Sequence, residues 1–168
     1  MRVHSFPAIA DSAASKLVLG TMPGKASLRA GEYYAHQRNA FWRIMDALFG
    51  IPASAPYLQR GAGLRAQGIA LWDVLQSCSR DSSLDADIVT ESIVPNRLAE
   101  FLREHPAVRT VYFNDAAAEA LYMKYVRPDL GDAQGGLSYI RLPSTSPAHA
   151  RLSAAAKLER WSVLKQAH

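Results

Sequence analysis

The chain of 168 residues contains one cysteine, Cys78, which excludes an internal disulfide framework and a cysteine-ligated iron–sulfur cluster. No apolar run is long enough to cross a bilayer, and the N-terminal segment has neither a long apolar core nor a clear cleavage site. Lysine and arginine form no dense block. We therefore expect a cytoplasmic protein without a membrane anchor, in which Cys78 is a small buried hydrophobic residue.

The composition is that of an ordinary globular domain, with 49% apolar and 20% charged residues. A chain of this length can bury one full hydrophobic core, so we predict a single domain over residues 1–168. The net charge of +4 is compatible with nucleic acid or another polyanion as the partner. The sequence is silent on oligomeric state, and we expect a monomer.

Short apolar runs that do not alternate with polar residues predict central parallel strands, covered by helices on both faces. These runs lie at residues 17–19, 69–75, 108–113 and 139–142. Segments with helical spacing alternate with the runs along the chain. The predicted fold class is therefore α/β, a three-layer αβα domain with a four-stranded, mostly parallel sheet.

The clearest helix signal covers residues 41–49, where apolar residues recur at helical spacing and Gly50 supplies a stop. We expect residues 50–68, which are rich in glycine and proline, to form a connection with at most one helical turn. Helical spacing also marks residues 98–102, 117–125 and 158–164. Asn114 or Asp115 is the expected cap of the second of these, and Ser146 followed by Pro147 is the expected start of the last.

The segment GTMPGKASLRAGEYYAHQRNAFW, residues 20–42, joins the first strand to the helix at 41–49. This order predicts a cleft at the carboxyl end of a strand, where open α/β sheets bind their ligands. GTMPGK is not a Walker phosphate loop, because three residues separate Gly20 from Gly24 and no serine or threonine follows Lys25. A nucleotide hydrolase is therefore a disfavoured alternative. We predict a tight turn with Gly24 at positive φ.

The polar and aromatic residues of this segment each have two interpretations. Asn39 directly precedes a helix and would act as its N-cap, and it could also hold a water or a ligand. Tyr33, Tyr34 and His36 lie in the loop before it. The tyrosine rings could fill the top of the core or form one wall of a slot for a flat base.

Two later positions are also open to two interpretations. Asp73 ends the second strand, where a buried carboxylate needs a partner, so it either caps or pairs with an arginine, or it accepts a hydrogen bond from a ligand. The segment PSTSPAHA, residues 143–150, offers hydroxyls and backbone N–H groups suited to a DNA phosphate. His149 is expected in the first turn of the last helix, as a solvated or capping residue or as a neutral functional one.

Together, GTMPG, SL, YYAH, RNAFW and, much later, LPSTSPA resemble the uracil-DNA glycosylase superfamily, and in particular its hypoxanthine-DNA (deoxyinosine) glycosylase branch. The strands ALWDVL and VYFN fit in the right order, so the resemblance spans most of the chain. It implies one α/β domain with a four-stranded parallel sheet, no metal and no redox cofactor. The implied partner is DNA that contains a deaminated base.

The implied reaction is hydrolysis of the N-glycosidic bond of a base flipped out of the duplex, which leaves an abasic site. Hypoxanthine is the first expectation, and uracil and xanthine are its rivals. Thr21 and Met22 stand where many superfamily members carry a water-activating aspartate or asparagine. A nucleic-acid-binding module without catalytic activity is therefore the alternative from another class.

By this resemblance Asn39 matches a catalytic asparagine that positions water, and His149 is the second catalytic candidate, as a donor to the leaving base. Asp73 lies near the position of a base-reading asparagine. The predicted substrate-binding residues are Gly20, Thr21, Met22, Pro23, Gly24, Tyr33, Tyr34, Phe41 and Asp73. The predicted DNA-binding residues are Lys25, Arg38, Ser144, Thr145, Ser146 and Arg151.

Overall fold

The computed structural model describes residues 1–166, apart from the side chains of residues 133 and 134. Within these residues, seven strands form two sheets. In chain order the strands are β1 (Arg2–His4), β2 (Lys16–Gly20), β3 (Ile69–Asp73), β4 (Leu75–Ser79), β5 (Val89–Pro95), β6 (Thr110–Phe113) and β7 (Ser138–Arg141). The larger sheet has the order β3–β2–β6–β7, and all its neighbouring strands are parallel. The predicted four-stranded sheet is therefore confirmed.

Six α-helices accompany the strands. They are α1 (Lys25–Ala30), α2 (Phe41–Phe49), α3 (Tyr57–Ala66), α4 (Leu98–Glu104), α5 (Ala116–Tyr125) and α6 (Ala154–Trp161). The predicted bounds of α2 are confirmed, with Gly50 as its left-handed C-cap. Asp115 is the N-cap of α5, and its side chain accepts a hydrogen bond from Ala118 N. Within residues 1–166, no helix is long and apolar enough to cross a membrane.

Two hydrophobic clusters cover the two faces of the parallel sheet. Leu17 and Leu19 of β2 face the cluster that holds the buried residues of α4 and α5. Val18, between them, faces the cluster that holds the buried apolar side chains of α2, α3 and α6. Because side chains alternate along a strand, helices on both faces bury the whole of β2, which gives the predicted three-layer αβα arrangement.

Three sequence expectations about the elements are wrong. The run at 69–75 is two strands, because the chain leaves the parallel sheet after Asp73 and β4 pairs with β1 and β5 in a separate antiparallel sheet. Residues 50–68 contain the ten-residue helix α3 rather than a single turn. The last helix begins at Ala154, with Ser153 as its N-cap, and not at Ser146.

Candidate functional site

A cavity of about 650 Å³ lies at the carboxyl ends of the parallel strands. Its walls come from the turn after β2, the loop before α2, the segment between β4 and β5, the start of α5, and the loop after β7. In parallel sheets this edge is where loops converge, so residues far apart in the sequence share one site. Both long motifs found in the sequence therefore contribute to the same cavity.

A backbone hydrogen bond joins the two motifs directly. Ala40 N donates to Thr145 O over 3.0 Å, and Asn39 and Ser146 both line the cavity. Asn39 is half-buried, and its Oδ1 accepts a hydrogen bond from Phe41 N at 2.9 Å. Asn39 therefore holds the start of α2 from one residue before its N-cap, which is Ala40 and not Asn39 as predicted, and Asn39 also lines the cavity.

The loop after β7 is held in place by buried polar groups of other elements. Asn114, at the end of β6, accepts a hydrogen bond from Thr145 N at 2.9 Å and donates one to Thr145 Oγ1 at 3.1 Å. Lys157 of α6 donates to the backbone oxygens of Ser146 and His149. From the sequence, Asn114 is expected only as a possible helix cap. In the structure, its side chain connects the end of β6 to the second motif.

His149 lines the cavity, but not from the first turn of a helix as expected. Ser146 O accepts a hydrogen bond from His149 N, and Ser146 Oγ accepts one from Ala148 N, so these residues form a separate turn. Pro147 is in this turn, and the true cap, Ser153, comes later. The predicted position of His149 in the first turn of the last helix is therefore wrong.

The aromatic side of the site divides into structural and accessible rings. Tyr33 is buried, and its hydroxyl donates to the backbone oxygens of Phe6 and Pro7 at 3.0 Å. Phe41 is fully buried beneath Tyr34, with ring centroids 4.3 Å apart, and is not part of the cavity wall. The prediction that Phe41 binds substrate is therefore wrong for a direct contact, because Tyr34 lies over it.

Gly20 allows two polar groups to meet at the base of the cavity. A Cβ at Gly20 would lie 2.7 Å from Asp73 Oδ1 and 2.9 Å from the hydroxyl of Tyr34. Glycine is required at this position because any side chain would push one of these groups away. The predicted positive φ at Gly24 is wrong: Gly24 is extended, with φ of −74°, and serves as the N-cap of α1.

Asp73 is almost completely buried at the end of β3 and lines the cavity. Its Oδ2 has no hydrogen-bond partner within residues 1–166, and it pairs with no arginine there, so the structural interpretations of this residue are not supported. Burial, and then the nearby carboxyls of Asp115 and Asp85, raise the pKa of Asp73 to about 8. At neutral pH the carboxyl group is therefore mainly protonated and can both donate and accept.

Two further carboxyl groups line the cavity, and sequence reasoning did not include them in the site. Asp115 Oδ1 accepts hydrogen bonds from Ala118 N at 2.7 Å and from Thr21 Oγ1 at 3.2 Å. Asp85 lies in the segment between β4 and β5, and burial raises its pKa to about 7. Thr21, for which the sequence offers no acid–base role, is thus in contact with an acidic group.

The remaining predicted residues fall into two groups. Those that line the cavity are Thr21, Met22, Pro23, Gly24, Lys25, Ser144, Thr145 and Ser146. Arg38 and Arg151 are exposed and lie outside the cavity lining, so their predicted phosphate contacts remain predictions about the surrounding surface. In the described part of the chain, no group of three or more His, Cys, Asp or Glu residues is arranged to hold a metal ion.

The family model of the uracil DNA glycosylase superfamily matches residues 6–165. The chain belongs to this superfamily. A hypoxanthine DNA glycosylase of Methanosarcina barkeri is 33% identical over 115 residues, covering 68% of this chain and 72% of the relative. A protein of the same name from Methanosarcina acetivorans is 31% identical over 153 residues, covering 89% of this chain and 90% of the relative.

Solved structures agree with the family assignment. The NMR structure of a chain from Methanosarcina acetivorans, named as a candidate uracil DNA glycosylase, matches with a TM-score of 0.77. It is 28% identical, and the match covers 99% of this chain and 100% of that chain. The superfamily resemblance read from the two motifs is therefore confirmed in sequence and in fold.

Proposed function

We propose that this superfamily member is a DNA glycosylase that hydrolyses the N-glycosidic bond of a deaminated base, with hypoxanthine as the preferred substrate. The observation that carries the proposal is the shared cavity of the two motifs, joined by the hydrogen bond from Ala40 N to Thr145 O. A cavity of about 650 Å³ has the usual size of a small-molecule site. It can receive a nucleotide that has been flipped out of the duplex.

Asn39 is the residue proposed to position the attacking water. Its Oδ1 accepts one hydrogen bond from Phe41 N, and an amide oxygen has a second lone pair to offer. The bond to Phe41 N fixes the orientation of the side chain. A dissociative glycosidic cleavage depends more on a well-placed water than on a strong base, so a fixed amide oxygen suits this role.

Asp73 is proposed to read the edge of the base. In its protonated form the carboxyl group can accept a hydrogen bond from N1–H of hypoxanthine and donate one to O6. A site built around such groups discriminates strongly against bases that cannot pair with them. His149, on the opposite loop, is proposed as a donor to the departing base.

We further propose that the protein is a monomer, with one domain over residues 1–168 that works in a reducing compartment such as the cytoplasm. The buried free thiol of Cys78 suits such a compartment. The large exposed apolar residues in the described chain are few: Met1, Leu58, Leu84, Val89 and Val94. Light scattering coupled to size exclusion, with and without DNA, tests the monomer.

The central experiment is a panel of DNA oligonucleotides, each with one altered base: hypoxanthine, uracil or xanthine, in single and double strands. After incubation with the protein, alkali converts abasic sites to strand breaks. We expect breaks first at hypoxanthine. Binding to the panel without strand breaks would favour the second candidate, an inactive DNA-binding module, which the non-acidic Thr21 keeps open.

A further inference from the structure

The segment between β4 and β5 forms one wall of the cavity, although neither sequence motif includes it. Ser83, Leu84 and Asp85 of this segment line the cavity. Ser83 Oγ accepts a hydrogen bond from Lys25 N at 2.9 Å, and a short 3₁₀ turn covers Asp85–Asp87. The segment is thus fixed against the first motif and presents a carboxyl group to the site.

Asp85 lies between a buried cation and the cavity. Its Oδ1 is 4.0 Å from Nη1 of Arg80, whose side chain is fully buried, whereas 31% of the Asp85 side chain is exposed. Arg80 Nη2 donates to the backbone oxygen of Pro23 in the first motif. The Asp85 carboxyl therefore interacts with Arg80 and with Thr21 and remains partly exposed in the wall of the cavity.

The other two carboxyl groups of the cavity are less suited to act as bases. Asp115 Oδ1 is occupied by Ala118 N and Thr21 Oγ1. Asp73 is 3% exposed and its Oδ2 has no partner among residues 1–166, whereas 31% of the Asp85 side chain is exposed. An unpartnered buried carboxyl in the wall of the same cavity indicates that this region is built for a polar ligand.

We propose that Asp85 is a further catalytic residue, whose carboxylate faces the sugar of the flipped-out nucleotide and takes up a proton from the attacking water. This inference rests on the proposed glycosylase function. It places an acidic catalytic group in the segment between β4 and β5, outside the first motif. The groups that interact electrostatically or by hydrogen bonding with Asp85 are Arg80, Thr21, Asp115, Asp73, Tyr34 and Cys78.

The proposed step balances as follows. The bond between C1′ of the sugar and N9 of hypoxanthine breaks, and its electron pair leaves with the base. The sugar carries the positive charge, which the Asp85 carboxylate stabilises across the cavity. The water held by Asn39 adds its oxygen to C1′ and gives one proton to Asp85, which later releases it to solvent. The base takes up one proton, so the net change is the addition of one water.

The test compares Asp85→Asn with Asp87→Asn, a matched change at an exposed position of the same 3₁₀ turn. Single-turnover excision from a hypoxanthine-containing duplex is measured between pH 5.5 and pH 9, at pH values spaced around the pKa of about 7. We expect D85N to lower the rate by a factor of about 100 or more, with DNA affinity unchanged, and D87N to stay within about threefold of the parent chain.

The pH profile separates a catalytic role from a structural one. The carboxylate of Asp85 forms as the pH rises through about 7, so the parent rate should rise over that range. The protonated form of Asp73 is lost above about pH 8, so the rate should fall there. In D85N, the increase in rate through about pH 7 should disappear, whereas the decrease above about pH 8 should remain. A D85N profile that keeps the rise overturns the proposal.

A second variant guards against a folding defect. Asp85 also balances the charge of Arg80, so D85N alone could destabilise the chain by leaving a buried cation. Adding Arg80→Met removes that charge. If Asp85 is only a counter-ion, the double variant should recover activity, which overturns the proposal; if Asp85 is catalytic, it should stay inactive. A parent chain that forms no abasic sites overturns the proposed function itself, and this inference with it.

Discussion

The aromatic and acidic sides of the cavity are built in opposite ways. The aromatic side comes from one short stretch, residues 33–42, whose rings pack against one another and whose polar atoms are mostly paired within the protein, as in Tyr33 and Trp42. The acidic side comes from three distant positions, Asp73, Asp85 and Asp115. Their burial raises all three pKa values.

This difference distinguishes residues that stabilise the fold from residues that bind or react with a substrate. Stacked and paired groups stabilise the fold and gain little from a ligand. Buried carboxyl groups that lack full hydrogen bonding cost stability, and such groups tend to occur where a protein binds or reacts. We infer that the aromatic side holds the shape of the site while the acidic side and Asn39 act on the substrate.

The largest expected effect follows from Asn39, which lines the cavity beside the second motif. Asn39→Ala should lower single-turnover excision of hypoxanthine by a factor of about 100 to 10,000, because the attacking water loses its fixed acceptor. The lost bond to Phe41 N should cost about 1 kcal/mol of stability, visible as a small drop in Tm.

Asn39→Ser is the matched control for that prediction. Serine can still accept the hydrogen bond from Phe41 N, so stability should recover. The shorter side chain cannot place the same water, so activity should remain low. Near-normal turnover in either variant would contradict the role of Asn39 in water positioning and would weaken the distinction between the two sides of the cavity.

The aromatic side and Asp73 were assigned to the site from the sequence, whereas Asp85 and Asp115 were not. The bounds of α2 follow from the spacing of apolar residues and from Gly50, signals that are local. The environment of Asp85 depends on Asp115 and Thr21, which lie on other elements, and on Arg80, which begins the same segment. No pattern around residue 85 reports Asp115 and Thr21, so its raised pKa becomes visible only in the fold.

Two errors about helices have equally physical causes. The helix α3 contains Gly61 and Gly63, which hide its helical character in the sequence. A Cβ at Gly63 would lie only 3.0 Å from Ile51, so glycine is used there for close packing. Before α6, the sequence offers two start signals, Ser146–Pro147 and Ser153. Ser146 forms a separate local turn, and the helix begins after Ser153.

Asp73→Asn should change which base is preferred. The substitution replaces a protonated carboxyl, which can donate or accept at either oxygen, with an amide of fixed donor and acceptor positions. We expect the ratio of hypoxanthine to uracil excision to change by about tenfold or more, measured as kcat/KM on matched duplexes. An unchanged ratio would remove Asp73 from base reading and leave Asp85 as the functional group of the acidic side.

Asn114→Ala tests the link that keeps the second motif against the first. The change leaves Thr145 N without its acceptor and Thr145 Oγ1 without its donor, which should cost about 1–3 kcal/mol of stability. Thr145→Ser keeps both groups and should behave like the parent chain. Loss of DNA affinity in N114A, measured by fluorescence anisotropy, would show that the loop after β7 needs this anchor; unchanged stability and affinity would contradict it.

The smallest effects should distinguish the two adjacent tyrosines. Tyr33→Phe removes a hydroxyl that donates to Phe6 O and Pro7 O, so we expect a loss of about 1 kcal/mol. Tyr34→Phe removes a buried hydroxyl that has no hydrogen-bond partner at normal distance among residues 1–166, so stability should stay within about 0.5 kcal/mol or rise. Because that hydroxyl lies beside Asp73 at Gly20, excision should still fall modestly in Y34F and not in Y33F. Equal stability losses in the two variants, measured by urea unfolding, would place both rings on the structural side of the cavity.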